Sequence, residues 1–334
     1  MRGVVAASVI VPTYNRPGVL EQCLGALLSQ DAETPPFEII VVDDASTDDT
    51  AARVEALTAD DRVHYVRHRA NRGLSASRNT GIRRARGDVV VFLDDDIVVE
   101  PDYLRAHLAR HAKADRVAVV GNLVYPDALV ERSNCARYLQ TRGIGYRWAS
   151  GRELLDFDNL HPRFLGGGIH SIRREDLVGI GLFDEAVRFY GYEDHLYAHR
   201  LHQAGIRIVL APEARATHLD AVTVAWFRAK MLQAGRDGLA MLRQHCPDFL
   251  EETALPTLLP VDWSRDRSGR LLRKLAVRGV LNPVTVAVLE RWASMTDHIG
   301  ALYSGMIYRA LNAGWILRGQ KLRRDGRPLV RYGD

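Results

Sequence analysis

Val89-Val90-Val91-Phe92-Leu93-Asp94-Asp95-Asp96 is the stretch on which the fold is decided. An apolar run without polar alternation suits a strand buried on both faces, as in a parallel sheet covered by helices. Three adjacent carboxylates at its end store like-charge repulsion, tolerable only where water, protons or a cation relieve it. Ligands of an open α/β sheet bind beyond the carboxyl ends of its strands, so the acids stand where a site is expected, with a positive group against them. The other reading of the triplet is an acidic turn that merely stops a strand, Asp being a common turn former.

Upstream, Ser8-Val9-Ile10-Val11 is a short β-branched strand, and Pro12-Thr13-Tyr14-Asn15-Arg16-Pro17 turns the chain into a helix with Leu20, Leu24, Leu27 and Leu28 at helical spacing. Residues 37–42 form a second strand, and Asp43-Asp44-Ala45-Ser46-Thr47 leads into a helix through residues suited to capping it. A weaker strand over 63–66 and a helix over 75–85 complete the approach to the acidic triplet. This alternation predicts an α/β fold with a mostly parallel sheet flanked by helices.

Downstream, Pro101 opens a helix to about residue 114, and 116–124 resumes strand character. Residues 127–163 mix aromatic and basic side chains with Gly143, Gly145 and Gly151, which predicts loops and short helices. Gly166-Gly167-Gly168 marks a close approach of backbone, and Glu193-Asp194 opens a helix that ends near Gly205. The last strand-like run is 206–211, so the chain reads as an α/β domain over 1–225 and a helical C-terminal region over 226–334.

The length of 334 residues and a hydrophobic fraction of 47% allow a sizeable core in one large domain or two. The formal net charge is only +4, but bases cluster late, in Arg270-Leu271-Leu272-Arg273-Lys274 and in Lys321-Leu322-Arg323-Arg324. That asymmetry suggests a basic C-terminal surface facing phosphate, lipid headgroups or an acidic partner, against the plainer reading of a solvated face. No nucleic-acid partner is expected, and a homo-oligomer is compatible with the composition. Cys23, Cys135 and Cys246 lack metal-ligand or disulfide spacing, so they read as core thiols of a cytoplasmic protein. Residues 1–7 are too short for a signal peptide, and 301–317, broken by Arg309 and Asn312, fall short of the ~20 apolar residues of a membrane span. A peripheral contact at the inner face of the membrane stays open.

Several blocks, taken in order, resemble the family 2 glycosyltransferases with the GT-A fold: Ser8 through Arg16, Val42-Asp43-Asp44-Ala45-Ser46-Thr47-Asp48, Asn71-Arg72-Gly73, Ala76-Ser77-Arg78-Asn79-Thr80-Gly81, Phe92 through Asp96, Gly166-Gly167-Gly168, Phe183-Asp184-Glu185, and Glu193-Asp194 with Arg200-Leu201. The resemblance covers roughly residues 8–220. Ala45 departs from it, since the family usually has glycine there.

The loops after the first two strands share a sheet edge, so Pro12, Tyr14 and Asp44 can line a slot for a flat base, a carboxylate accepting the imide N–H of uracil. Tyr14 is otherwise a half-exposed loop aromatic. Asp43 has the alternative of pointing into the fold and pairing with Arg78, itself either structural or close to phosphate. Gly73 lets backbone approach the nucleotide or simply serves a helix-entry turn; by resemblance it borders the base.

The resemblance further implies that Asp94 and Asp95 face the ribose and that Asp96 holds a divalent cation, Mn²⁺ or Mg²⁺, acting as Lewis acid for the departing diphosphate. It places a further metal ligand at His218, which is otherwise a structural histidine. Asp194 becomes the general base that takes the acceptor proton, with Glu193 holding the acceptor or the loop; the alternative is that both acids only cap a helix. The glycines, Gly167 and Gly168 among them, lie under the donor sugar. Together these imply an inverting, metal-dependent transfer of a hexose-type sugar from a nucleoside diphosphate, UDP by expectation, to a hydroxyl acceptor.

Two rival classes remain. Nucleotidyltransferases of similar fold depend on a Gly-rich, Lys/Arg-bearing loop after the first strand, which Pro12-Thr13-Tyr14-Asn15 lacks. A non-catalytic nucleotide-sugar-binding module would be favoured if Asp96 and Asp194 were missing, and both are present. Trp226, Trp292 and Trp315 either stack on sugar rings or pack helices.

Overall fold

The computed structural model describes residues 5–143, 156–188, 191–219, 221–251, 253 and 255–326. The chain divides into two compact units, 1–126 with 142–188 and 197–220, and 127–141 with 189–196 and 221–334.

The first unit is built on β1 (Ala7–Thr13), β2 (Phe37–Asp43), β3 (Val63–Arg67) and β4 (Val89–Leu93), all parallel, in the order β3-β2-β1-β4. Helices α1 (Pro17–Leu28), α2 (Thr50–Leu57) and α3 (Leu74–Arg84) make the crossovers. β1, β2 and β4 are buried along their whole length, which is why they read as unbroken apolar runs. In register, Ile10 lies opposite Ile40 and Phe92, and Thr13 opposite Asp43, so the carboxyl ends of the three strands finish side by side.

Past β4 the sheet becomes mixed. β5 (Ile97–Val99), β6 (Val117–Val124), β7 (Ile169–Arg173) and β8 (Arg207–His218) complete the order β3-β2-β1-β4-β7-β6-β8-β5. β7 runs antiparallel to both β4 and β6, β6 pairs parallel with β8, and β5 is an antiparallel edge on β8. This is the α/β sheet flanked by helices that was expected, with the antiparallel β5 and β7 added to the predicted strands and β8 extended as far as His218. β7 escapes sequence reading because the side chains it buries include His170 and Ser171. Their polar groups are met by α4 (Tyr103–Lys113) and by a loop: Ser171 Oγ lies 2.8 Å from His107 Nδ1 and 2.9 Å from His111 Nε2, and His170 Nδ1 lies 3.0 Å from the Gly166 carbonyl.

Two short helices, α5 (Asp127–Arg132) and α6 (Asn134–Gln140), occur where loops and short helices were expected, while Gly145 and Gly151 lie outside the described residues. Two more helices follow β7, α7 (Arg174–Ile180) and α8 (Glu193–Gln203). The second unit contains α9 (Val224–Gln233), a π-helical turn at Ala234–Gly238, α10 (Leu239–His245), α11 (Pro247–Glu251), α12 (Ser268–Val280), α13 (Pro283–Thr296) and α14 (Gly305–Arg324). Its core gathers Leu239, Leu242, Phe249, Leu250 and Ile316. Trp315 packs edge-on to Phe227 at 5.3 Å and donates to Glu290 at 3.0 Å, and Trp226 is also buried, so these two tryptophans pack helices. Among the described residues, no helix is long and apolar enough to cross a membrane.

Candidate functional site

The alignment of β1, β2 and β4 brings Thr13, Asp43, Asp44 and the acidic triplet to one edge of the sheet. The positive charge expected on that triplet is supplied first by the chain itself. Arg16, in the loop after β1, donates through one nitrogen to Asp95 Oδ1 at 3.1 Å and to Asp96 Oδ2 at 2.8 Å. Arg78, on α3, donates to Asp94 Oδ1 at 3.0 Å.

Asp95, expected toward the ribose, is instead engaged within the fold: it is 5% exposed, and its Oδ2 accepts from the Thr13 hydroxyl at 2.7 Å. Burial, reinforced by the neighbouring Asp96 and Asp94, pushes its carboxyl up to about 7 against the pull of Arg16 and Thr13. Asp94 is the member of the pair open to a ligand, with 38% of its side chain exposed.

Asp96 is buried beside them, and its Oδ1 has no hydrogen-bond partner among the described residues. The last residue of β8 pairs with Ile97, which sets His218 Nε2 4.0 Å from that oxygen. The Leu219 N–H, donating to the Asp96 carbonyl at 2.7 Å, fixes the same junction. An acceptor buried without a donor is costly, and it marks a place where a cation or proton belongs. No group of three or more His, Cys, Asp or Glu is arranged for a metal among the described residues. One carboxylate and one imidazole still suit a Mn²⁺ or Mg²⁺ ion that takes its remaining oxygens from phosphate and water.

Asp44 is 5% exposed, and its Oδ1 accepts from the Arg72 N–H at 2.8 Å and lies 2.7 Å from His68 Nδ1. Its Oδ2 accepts from the Gly73 N–H at 2.7 Å, so this carboxylate shapes the loop in which Gly73 sits at φ 88°. Tyr14 is 44% exposed. Its loop is tied to that of Asp44 by the Asn15 N–H donating to Ser46 Oγ at 2.9 Å and the Thr47 N–H donating to Asn15 Oδ1 at 2.8 Å. Pro12 lies buried at the end of β1. Ala45, the departure from the family pattern, adopts φ 68°, a left-handed backbone that glycine would occupy without cost.

The pairing of Asp43 with Arg78 is corrected: Asp43 accepts from the Tyr65 hydroxyl at 2.6 Å and the Ser46 N–H at 2.7 Å, and Arg78 belongs to Asp94. β7 approaches β4 so closely that a Cβ on Gly168 would fall 2.0 Å from the Asp94 carboxyl carbon. The space above this glycine is therefore filled by Asp94, whose N–H donates to the Gly168 carbonyl at 3.1 Å. Gly167 is half-buried in the same turn.

Glu193 and Asp194 belong to the second unit, at the start of α8. Glu193 Oε2 accepts from the Gly191 N–H at 2.8 Å, holding the loop. Asp194 Oδ1 accepts from the His195 N–H at 2.8 Å and lies 2.8 Å from His195 Nδ1, while 28% of the side chain stays exposed. Arg16, Thr13, His68 and His195 had no role assigned from sequence. For Arg16 a signal existed, since buried acids need a cation and it is the base nearest the end of β1.

A protein-family model for glycosyl transferase family 2 matches residues 8–178. The chain belongs to that family. It is 28% identical over 254 residues to the uncharacterized glycosyltransferase YfnE of Bacillus subtilis (strain 168), spanning 64% of each chain. It is 27% identical over 314 residues to the validoxylamine A glucosyltransferase of Streptomyces hygroscopicus subsp. jinggangensis (strain 5008), covering 86% of this chain and 68% of that one. Among solved structures it resembles the mannosyltransferase PcManGT of Pyrobaculum calidifontis, in complex with GDP-Man and Mn²⁺, at TM-score 0.60 and 20% identity, over 98% of this chain and 89% of that chain. The fold of this family 2 member is thus GT-A, and Arg16, Thr13, Asp44 and the acidic triplet all lie within the matched segment.

Proposed function

We propose that this family 2 glycosyltransferase moves a hexose-type sugar from a nucleoside diphosphate, UDP by preference, to a hydroxyl acceptor with inversion of configuration. The observation that carries the reading is the buried Asp96 Oδ1, without a donor among the described residues and 4.0 Å from His218 Nε2, at the carboxyl edge of the sheet. Asp96 and His218 would hold a divalent cation there, and such an ion would neutralise charge on the departing diphosphate. Support comes from the mannosyltransferase of similar fold, described with GDP-Man and Mn²⁺, and from the relative named for glucosyl transfer.

Asp94 is the acid left to meet the ribose hydroxyls. Asp44 acts on the base mainly by shaping the Arg72-Gly73 loop, since its oxygens already accept from that loop. Asp194 takes the acceptor proton, its ionised form favoured by the start of α8 and its orientation held by His195. Attack by an acceptor hydroxyl so activated, in a single displacement, gives inversion. The three cysteines are buried and none is in a disulfide, which supports a cytoplasmic setting.

The test is a screen of UDP- and GDP-hexoses with glycan, lipid-linked and small-molecule acceptors, reading nucleotide release and intact product mass with Mn²⁺, Mg²⁺ or chelator. Turnover restored by metal, and lost in Asp96→Asn, is the expected result. Full turnover in excess chelator would remove the cation from this site, and transfer of a nucleotidyl rather than a glycosyl group would overturn the reading.

A further inference from the structure

α12 turns two of its bases inward beside Leu271 and Val277. Its buried side chain is Lys274, whose ammonium donates to both oxygens of Asp266 at 2.7 Å and to the Pro260 carbonyl at 3.0 Å. One turn on, Arg278 donates to the carbonyls of Leu258 and Leu259 at 3.1 and 2.6 Å. Two of the helix's four bases are thereby turned into its own unit while Arg270 and Arg273 stay exposed, and Leu272 (66% exposed), Leu275 and Val280 are turned out beside them. α13, which follows after Leu281 and Asn282, exposes Val284 (73%), Val288 and Met295 at helical spacing on one face. Isolated exposed leucines need no explanation, but apolar faces on two successive helices do.

Charge says what covers them. From Trp263 to Arg324, a stretch described throughout, every exposed Asp, Glu, Lys or Arg is a base, Arg265, Arg267, Arg273, Arg291 and Arg309 among them. The acids of the stretch are turned inward: Asp266 to Lys274, Glu290 to the Trp315 indole at 3.0 Å, and Asp297 to the Tyr308 hydroxyl at 2.8 Å. A second copy of the chain would set arginine against arginine. An apolar interior beneath an anionic skin is the complement of this surface, and Trp263, 75% exposed just before α12, has the side chain favoured at such a boundary.

We propose that the outward faces of α12 and α13 dock on an anionic lipid bilayer as an interfacial contact, independently of which sugar or acceptor the enzyme uses. The test is co-sedimentation of the full chain with vesicles of phosphatidylcholine alone and of phosphatidylcholine mixed with phosphatidylglycerol. Partition onto the anionic vesicles should be about tenfold higher or more, as expected from several arginines near a charged surface, and should fall as salt shortens the Debye length. Leu272→Glu with Leu275→Glu should cut it about tenfold or more at unchanged circular dichroism. Should that variant misfold, Arg265→Gln with Arg267→Gln and Arg273→Gln, all at exposed positions, must abolish the preference for anionic vesicles. Binding to neither vesicle, equal binding to both, or a solution dimer lost in the leucine variant without lipid binding would each overturn the proposal.

Discussion

Acid should destabilise the first unit, and by an amount its buried histidines set. Burial, aided by neighbouring positive charge, lowers His107 and His170 from 6.5 to about 3 and His111 to about 4. Neutral imidazole is therefore part of the native state, and in the window from 6.5 down to about 4 the unfolded chain binds three more protons. Stability contributed this way is fully present above 6.5 and is lost as pH falls. Between pH ~7.5 and ~5 each histidine costs about 2 kcal/mol, about 6 kcal/mol for three.

Asp95 works with the opposite sign. Raised from 3.8 to about 7, its carboxyl holds a proton when folded, and its contribution is present below 3.8 and lost as pH rises through about 7. Over the same interval it returns about 2.5 kcal/mol on acidification, leaving a net loss on the order of 3–4 kcal/mol. Urea unfolding in chelator at the two pH values measures this directly. Asp95→Asn should steepen the loss toward about 6 kcal/mol, and His111→Gln should flatten it by about 2. Equal unfolding free energies at both pH values, or slopes unchanged in the two variants, would refute the assignment of these protons.

Ala45→Gly relieves an alanine held at φ 68° and should stabilise the protein by roughly 1 kcal/mol, read as a rise in Tm. Gly168→Ala places a Cβ 2.0 Å from the Asp94 carboxyl carbon and should drive that side chain off Arg78, costing about 3–5 kcal/mol if the buried guanidinium is left unpaired; denaturation and nucleotide titration would both register it. Asp194→Asn should lower turnover by about 10²-fold with nucleotide affinity intact, and a loss confined to acceptor affinity would mark it as a positioning group instead.

Six of the eight strands were legible, the first of them because their physics is local. β1, β2 and β4 are buried on both faces, so each announces itself as an unbroken apolar run, and the turns after them carry the acids that β-sheet geometry brings together. β7 has no such signature: Ser171 is buried only because His107 and His111, some sixty residues earlier on α4, meet its hydroxyl. β5, three residues long, is a strand only by virtue of β8.

The same distinction runs through the site. That three adjacent carboxylates need positive charge follows from electrostatics and could be stated from the residues alone. Which charge arrives first depends on where the loop after β1 and helix α3 lie, and these bring Arg16 and Arg78, leaving Asp95 committed inward and Asp94 partly exposed. Among the described residues compensation is incomplete at Asp96: Arg16 reaches it through Oδ2, while Oδ1 faces His218 with no hydrogen-bond donor. A chain that needed only to stop a strand could have neutralised that oxygen with one more hydroxyl or amide. An acceptor unmet among the described residues favours the site reading of the triplet over the acidic-turn reading, and it is a property of the fold that no spacing of residues could disclose.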